Sequence, residues 1–191
     1  MHQCESRRRG DLPKKTVSCL AVPYTLQKLS EEHDQLLRVA DEHGDISAAE
    51  VVIMNINVLL VSVYISPDIT IKQKKIFLTR NLFNYSNKNM AMIVAGDFNI
   101  DVSKRENIDF IGFMHQYLRL NLANEPNLAT TIRGSCIDLV FARNISVECR
   151  RYCSYFSYHI PILSVLAFET PESSLALSTG TCPAGLTSSP N

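Results

Sequence analysis

Apolar and polar positions follow one another along the chain in blocks that predict alternating strands and helices. Short apolar runs rich in β-branched residues, bounded by turn residues, predict strands at 50–55, 58–65, 91–95, 136–142, 147–156 and 160–168. Apolar residues three or four positions apart predict amphipathic helices near 71–82 and 107–119. Helices placed between mostly apolar strands indicate an α/β sandwich, and the first two runs predict an antiparallel hairpin.

The same pattern predicts one domain over residues 46–168 with three flanking segments. Residues 1–23 show no period and carry a run of arginines, so we expect an irregular basic segment. Residues 24–45 place apolar side chains at helical spacing as far as Gly44, which predicts an amphipathic helix ended by the glycine. Residues 169–191 are rich in Ser, Thr, Pro and Gly, which predicts a disordered tail.

Composition narrows the functional classes only slightly. The 191 residues hold 19 Lys and Arg against 19 Asp and Glu, so any contact with nucleic acid must depend on local basic patches. The six cysteines show no zinc-ligand spacing, and Cys136 lies in an apolar run where a buried free thiol is expected. With no secretory signal and no span long enough for a bilayer, we expect an intracellular protein without a membrane partner, the nucleus being one candidate location. The oligomeric state stays open.

The stretch from Met92 to Asp101 carries the first candidate chemistry. An apolar strand stops at Gly96 and is followed at once by Asp97, Asn99 and Asp101. Open α/β sheets place ligand sites at strand ends, and carboxylate and amide oxygens suit a hard cation such as Mg²⁺. The alternative is an ordinary turn that caps the next helix, and these residues alone leave both interpretations open.

Two further strand ends and one strand carry polar groups. Tyr64 ends one strand, and His159 directly precedes the last strand. Asp138 lies within an apolar run, where an unpaired carboxylate is costly, so a partner is expected. A metal site, an acid–histidine pair and a phenol together suit phosphodiester hydrolysis, although each of these groups alone is ordinary.

The order of these groups resembles the endonuclease/exonuclease/phosphatase superfamily, which includes apurinic-site nucleases and the endonuclease domains of mobile elements. The resemblance covers about residues 48–168, and its matching stretches are Tyr64 with Pro67, Gly96-Asp97-Phe98-Asn99, Ile137–Phe141 and Ser157–Ile162. The residues within these motifs are most similar to those of the copies of this domain in arthropod mobile elements, with Helitron-type transposons among the candidates. The implied fold is a two-sheet α/β sandwich of the apurinic-endonuclease type.

The resemblance also implies a role for each matching residue. His159 would be the general base for water, and Asp138 would orient it. Asp97 and Asn99 would bind and polarise the phosphate, with Asp97 holding Mg²⁺ or Mn²⁺. Tyr64 would contact the scissile phosphate. The implied function is metal-dependent phosphodiester hydrolysis by a DNA endonuclease-like domain.

Two departures from the family pattern keep other functions open. Tyr158 stands where the family has an aspartate, and residues 1–45 show neither the strand ending in Asn nor the metal-binding Glu that the family places there. The chain is therefore expected to be a C-terminal portion of such a domain. The alternatives are an inactive fragment that binds nucleic acid weakly and a phosphatase acting on a small phosphoester. A set of arginines favours a polyanionic substrate: Arg133, Arg143, Arg150 and Arg151.

Overall fold

The computed structural model describes residues 15–18, 35–53, 55–152 and 157–167. These residues form helices α1 (Ile71–Ser86) and α2 (Ile108–Leu118), a short 3₁₀ helix (Arg105–Asn107) and nine strands. The strands are β1 (Lys15–Ser18), β2 (Gln35–Asp41), β3 (Gly44–Ile53), β4 (Ile56–Ile65), β5 (Ala91–Asp97), β6 (Asn121–Leu122), β7 (Asp138–Arg143), β8 (Ser146–Arg151) and β9 (Ile162–Ala167).

The strands form two sheets. The larger has the order β2-β3-β4-β5-β7-β6, and the smaller has the order β1-β9-β8. Only β4 and β5, which α1 connects, run parallel among the described strands. One face of the larger sheet packs against both helices, with Phe77 and Phe110 fully buried. Its other face packs against the smaller sheet through Ile162 and Leu166. The predicted α/β sandwich is therefore confirmed.

Most of the predicted elements inside the domain are confirmed. The hairpin is β3–β4, with Val51 paired to Val58. The helix predicted from residue 71 is α1, and it begins as the sequence indicates. The Thr70 hydroxyl accepts a hydrogen bond from the Gln73 backbone N–H while the Gln73 side chain bonds back to Thr70, a capping box. Among the described residues, no helix is both long and apolar enough to cross a membrane.

The helix predicted over residues 24–45 is wrong where the structure describes it. Residues 35–41 form strand β2, which pairs with β3 through a tight turn. Leu37 and Val39, two positions apart, both pack against the core, as alternate residues of a strand do. This alternation is short, and the apolar residues around it also fit the spacing of a helix. Gly44 begins β3 rather than ending a helix. Its φ is 150°, and a Cβ there would lie 2.1 Å from the backbone O of Tyr64.

The irregular segment predicted over residues 1–23 also needs a correction. Residues 15–18 form strand β1, which pairs with β9 at the edge of the smaller sheet. Four residues are too few to show a period, so the pairing partner rather than local pattern decides this strand. The rest of that segment, residues 24–34 and the tail predicted at 169–191 lie outside the described residues.

Arg143 is a structural residue rather than a surface charge. It is buried, and its guanidinium donates to the backbone oxygens of Tyr85, Ser86 and Leu118, at the C-terminal ends of α1 and α2. The carbonyl ends of two helices carry partial negative charge, which stabilises the buried cation. The earlier suggestion that Arg143 favours a polyanionic substrate is therefore wrong.

Candidate active site

Three of the predicted site residues form a row across the larger sheet. Tyr64 of β4 is the register neighbour of Asp97 on β5, and Asp97 is the neighbour of Asp138 on β7. Residues in register project to the same face of a sheet. Ala95 and Val140, two residues from the two acids, belong to the core beneath the smaller sheet. The row therefore lies on the face that meets the smaller sheet, at one end of the cleft between the sheets.

His159 completes the row from the smaller sheet. It lies just before β9, and a backbone bridge to Thr131 holds it against the loop that precedes β7. Its Nδ1 is 2.9 Å from Asp138 Oδ2, and its Nε2 is 4.0 Å from Asp97 Oδ2. The structure thus brings Asp138 and His159 together as a hydrogen-bonded pair, with Asp97 on the other side of the imidazole.

The turn after β5 is fixed by backbone geometry that only glycine permits. Gly96 has a φ of 154°, and a Cβ there would lie 1.8 Å from the backbone O of Val63. Beyond it, Asp97 Oδ1 accepts the Asn99 backbone N–H at 2.9 Å. Asn99 itself has a φ of 48°, and its side-chain Nδ2 donates to the Ile65 backbone O at 2.9 Å. Asp97, which the sequence analysis offered either as a turn residue or as a site acid, therefore occupies both positions: its side chain closes the turn, and it lies in the row.

Lys74 on α1 also holds this turn in place. The sequence analysis did not identify it. A lysine on an amphipathic helix usually faces water, but Lys74 is 2% exposed. Its Nζ donates to the backbone oxygens of Asn99 at 2.7 Å and Phe98 at 3.2 Å. A signal was present, because Lys74 lies three and four residues before the buried Phe77 and Leu78, on the same helix face.

Burial, and then the groups around it, set the pKa of the central acid, Asp97. Burial raises the pKa of Asp97 above the usual carboxyl value, and the nearby carboxylate of Asp138 adds to that rise. The Asn99 N–H, His159 and Lys74 act in the opposite direction without cancelling it. Burial lowers the pKa of Lys74, while Asp97 raises it. The site therefore holds closely coupled charges of both signs.

Two buried polar residues anchor the strand that carries Asp138, and the sequence analysis missed both. The Thr130 hydroxyl accepts the backbone N–H groups of Ile137 and Asp138, each at 3.0 Å. Asn124 accepts the Val140 N–H at 2.8 Å and donates to the Asp138 backbone O at 3.3 Å. Neither residue belongs to an apolar period or to a recognisable motif, so the sequence offers little signal for them.

The remaining candidates divide into structural and accessible groups. Asp101 accepts hydrogen bonds from Ser103 and from the Cys136 backbone N–H, so it organises a loop. Cys136 is a buried free thiol, as predicted, and burial raises its pKa to about 11. Tyr64 is 44% exposed and leaves its phenol accessible next to Asp97.

Among the residues that the structure describes, Asp97, Asp138 and His159 form a group that could hold a metal. One ligand atom from each lies within 4.8 Å of the other two. Carboxylate oxygens and an imidazole nitrogen form a donor set that divalent cations accept. Asp138 already accepts the imidazole N–H, which leaves Asp97 as the acid best placed to hold an ion.

Comparison with known proteins identifies the fold of this chain. No protein-family model and no curated protein matches the sequence. The endonuclease domain of TRAS1, a telomere-specific non-LTR retrotransposon, superposes with a TM-score of 0.54 at 18% identity, over 71% of this chain and 68% of that domain. An endonuclease/exonuclease/phosphatase family protein from Leptotrichia buccalis gives 0.51 at 14% identity, over 65% of this chain and 54% of that one. The chain has the endonuclease/exonuclease/phosphatase fold.

The endonuclease/exonuclease/phosphatase fold accounts for the position of the row. In this fold two sheets stack face to face, so strand ends from both sheets reach the same edge of the molecule. His159 meets the row at that edge. The chain spans only about half of the Leptotrichia protein.

Proposed function

We propose that this protein is a metal-dependent phosphodiesterase that acts on DNA as an endonuclease. The observation that carries the proposal is the line formed by Asp138, His159 and Asp97, with separations of 2.9 Å and 4.0 Å. A histidine fixed by a carboxylate on one nitrogen, with its other nitrogen facing a second acid, is suited to deprotonating water.

His159 is the proposed general base. When Nδ1–H donates to Asp138, Nε2 keeps its lone pair and faces Asp97. A water molecule between Nε2 and the phosphate gives its proton to Nε2 as its oxygen bonds to phosphorus. The phosphorus–oxygen bond to the leaving strand breaks, and the leaving oxygen takes up a proton from solvent. Asp138 stabilises the imidazolium that forms.

The other residues bind and orient the phosphate. Asp97 would hold a divalent ion, Mg²⁺ or Mn²⁺. When bound, such an ion stabilises the negative charge on the phosphoryl oxygens. Tyr64 donates its phenolic O–H toward a non-bridging oxygen from its accessible position in the row. Asn99 keeps Asp97 in place through its backbone N–H.

DNA is the proposed substrate on two grounds. The TRAS1 domain, which shares the fold, is an endonuclease of a retrotransposon, and this supports both a nucleic-acid substrate and a mobile-element origin. Exposed Arg133 lies on the loop beside His159, where a polyanion would bind. Arg150 contributes less, because it pairs with Glu148 at 2.7 Å. An intracellular, reducing location fits the buried free thiol of Cys136.

Tyr158 favours a second candidate function. Where family members carry an acid, this chain places a phenol ring beside His159, at 5.5 Å between ring centroids. Hard divalent cations favour carboxylate ligands, which this position lacks. The second candidate is therefore an inactive relative that binds nucleic acid without cleaving it.

Nicking of a supercoiled plasmid by the purified chain separates the two candidates. We expect nicking that requires Mg²⁺ or Mn²⁺ and is lost in Asp97→Ala. A protein that circular dichroism shows to be folded but that nicks nothing would contradict the endonuclease proposal. Turnover of a small phosphomonoester in place of the plasmid would instead support a phosphatase.

A further inference from the structure

The loop between Thr131 and Gly134 is fixed beside the proposed general base. The Ile132 backbone N–H donates to the Tyr158 backbone O at 3.1 Å, and the Gly134 N–H donates to the Thr131 O at 3.1 Å. Gly134 has a φ of 89°, which closes the turn at a position that favours glycine. The loop is therefore attached to the segment that carries His159.

The loop carries an arginine that is supported by an aromatic ring. The Arg133 guanidinium lies 5.4 Å from the centroid of the Tyr158 ring. Tyr158 in turn makes an edge contact with the His159 ring at 5.5 Å. The three side chains contact one another in the order Arg133, Tyr158, His159. One aromatic ring therefore separates the guanidinium from the proposed general base. Stacking on an aromatic face restricts the guanidinium, so less order is lost when it binds an anion.

The charge of Arg133 is available to a ligand. The side chain is exposed, and within the described ranges Arg133 forms no ion pair. The neighbouring Ile132 is 70% exposed, so nothing in the described chain covers this edge of the site. By contrast, Arg151 on β8 donates to the Ala129 backbone O at 3.3 Å. Arg133 is thus the arginine near His159 with the most donors left for a ligand.

We propose that Arg133, supported by Tyr158, binds a phosphate next to the scissile one on the same DNA strand. The inference rests on the proposed function, because it takes His159 as the residue beside the scissile phosphate. A planar guanidinium gives two parallel N–H groups to one phosphate. This subsite selects a polynucleotide over an ester with a single phosphate. It also gives the tyrosine at position 158 a role, as the platform for the arginine.

Kinetic selectivity provides the first test. The ratio of kcat/KM for a 20-nucleotide DNA to that for bis(4-nitrophenyl) phosphate is measured with Mn²⁺. Arg133→Gln should lower this ratio about five- to tenfold, through a higher KM for DNA. The matched control is Arg38→Gln, an exposed arginine on β2, three strands from β5 in the sheet. A ratio that stays unchanged in Arg133→Gln, or falls equally in Arg38→Gln, would overturn the proposal.

Binding without metal provides a test that does not depend on turnover. Fluorescence anisotropy of the same labelled DNA is followed against salt concentration. Arg133→Gln should weaken binding about five- to tenfold and reduce the slope of log K against log salt by about 1, the value for one lost phosphate contact. Tyr158→Phe should keep wild-type affinity, because it keeps the ring, whereas Tyr158→Leu should lose part of it.

The two tests separate the two hypotheses. If the wild-type protein cleaves neither substrate yet shows the expected Arg133 effect in binding, the hydrolysis proposal fails and the phosphate subsite stands. If the wild-type protein cleaves DNA but Arg133→Gln binds with an unchanged salt slope, the subsite proposal fails and the hydrolysis proposal stands.

Discussion

The Nζ of Lys74 lies 2.7 Å from the backbone O of Asn99, so a buried ammonium group on α1 holds the turn that follows β5. The same nitrogen also donates to the Phe98 backbone O. Burial lowers the pKa of Lys74, and the opposite charge of Asp97, one residue before Phe98, acts against that shift. Lys74 thereby joins the first turn of α1 to the end of β5, beside the proposed phosphate site.

Replacing Lys74 should disturb the site more than a surface lysine does. Lys74→Met keeps the length of the side chain but removes the donor from the buried Phe98 carbonyl oxygen and the half-buried Asn99 carbonyl oxygen. We expect a loss of roughly 1–3 kcal/mol in the free energy of unfolding, and a lower kcat because the turn is released. Lys72→Met, at an exposed position on the same helix, should change neither quantity. Urea unfolding and steady-state kinetics measure both, and a Lys74→Met enzyme with wild-type kcat would contradict the assigned role.

Asp97 should destabilise the metal-free fold at neutral pH. Because its pKa is raised in the folded state, the folded protein keeps a proton that the unfolded chain has already released. Stability therefore falls as the pH rises from the ordinary carboxyl pKa through the raised one. Asp97→Asn should unfold at higher urea than the wild type at pH 7 in EDTA, and the gain should shrink as the pH falls toward 4.

Asp101 provides the opposite case and so a control for this pH argument. Burial acts to raise its pKa, but hydrogen bonds from Ser103 and the Cys136 N–H outweigh burial and lower it. Its stabilising effect is therefore present above the ordinary carboxyl pKa and is lost as the pH falls through the lowered one. Asp101→Asn should be less stable than the wild type at pH 7. A shift of the same sign in both variants would show that the two environments have been misassigned.

Gly96 and Gly112 should respond oppositely to the same substitution. Gly96→Ala places a Cβ against the Val63 backbone O, which a paired strand cannot move aside. We expect a loss of about 3 kcal/mol or more. Gly112 lies exposed within α2 with no atom within 4 Å of an added Cβ, so Gly112→Ala should gain roughly 0.5–1 kcal/mol. Equal effects in urea unfolding would mean that β4 and β5 approach each other less closely than described.

The sequence predicts the site better than it predicts the edges of the fold. The turn after β5 is visible because a buried strand, a glycine forced by Val63 and an acid follow one another. A partner for Asp138 is anticipated because a carboxylate inside an apolar strand is costly without one, and the family resemblance implies that the partner is His159. Edge strand β2 is mistaken for a helix, since its alternation covers few residues and the pairing with β3 decides its structure.

The residues that escape prediction are those whose role depends on distant contacts. Lys74 acts on a turn 24 and 25 residues away in the chain. Arg143 caps two helices that end 25 and 57 residues before it. Thr130 and Asn124 hold β7 from a loop without any period. The buried helix face of Lys74 is visible in the sequence, but no local pattern encodes any of these contacts, so only the assembled structure shows them.

The most direct test of the central claim is DNA cleavage by His159→Ala. We expect kcat/KM to fall by roughly 10²–10⁴ when the base is removed, while circular dichroism still shows a folded protein. His115→Ala, an exposed histidine on α2, should cleave DNA at the wild-type rate. Unchanged cleavage by a folded His159→Ala protein would contradict the assignment of His159 as the base and, with it, the proposed mechanism.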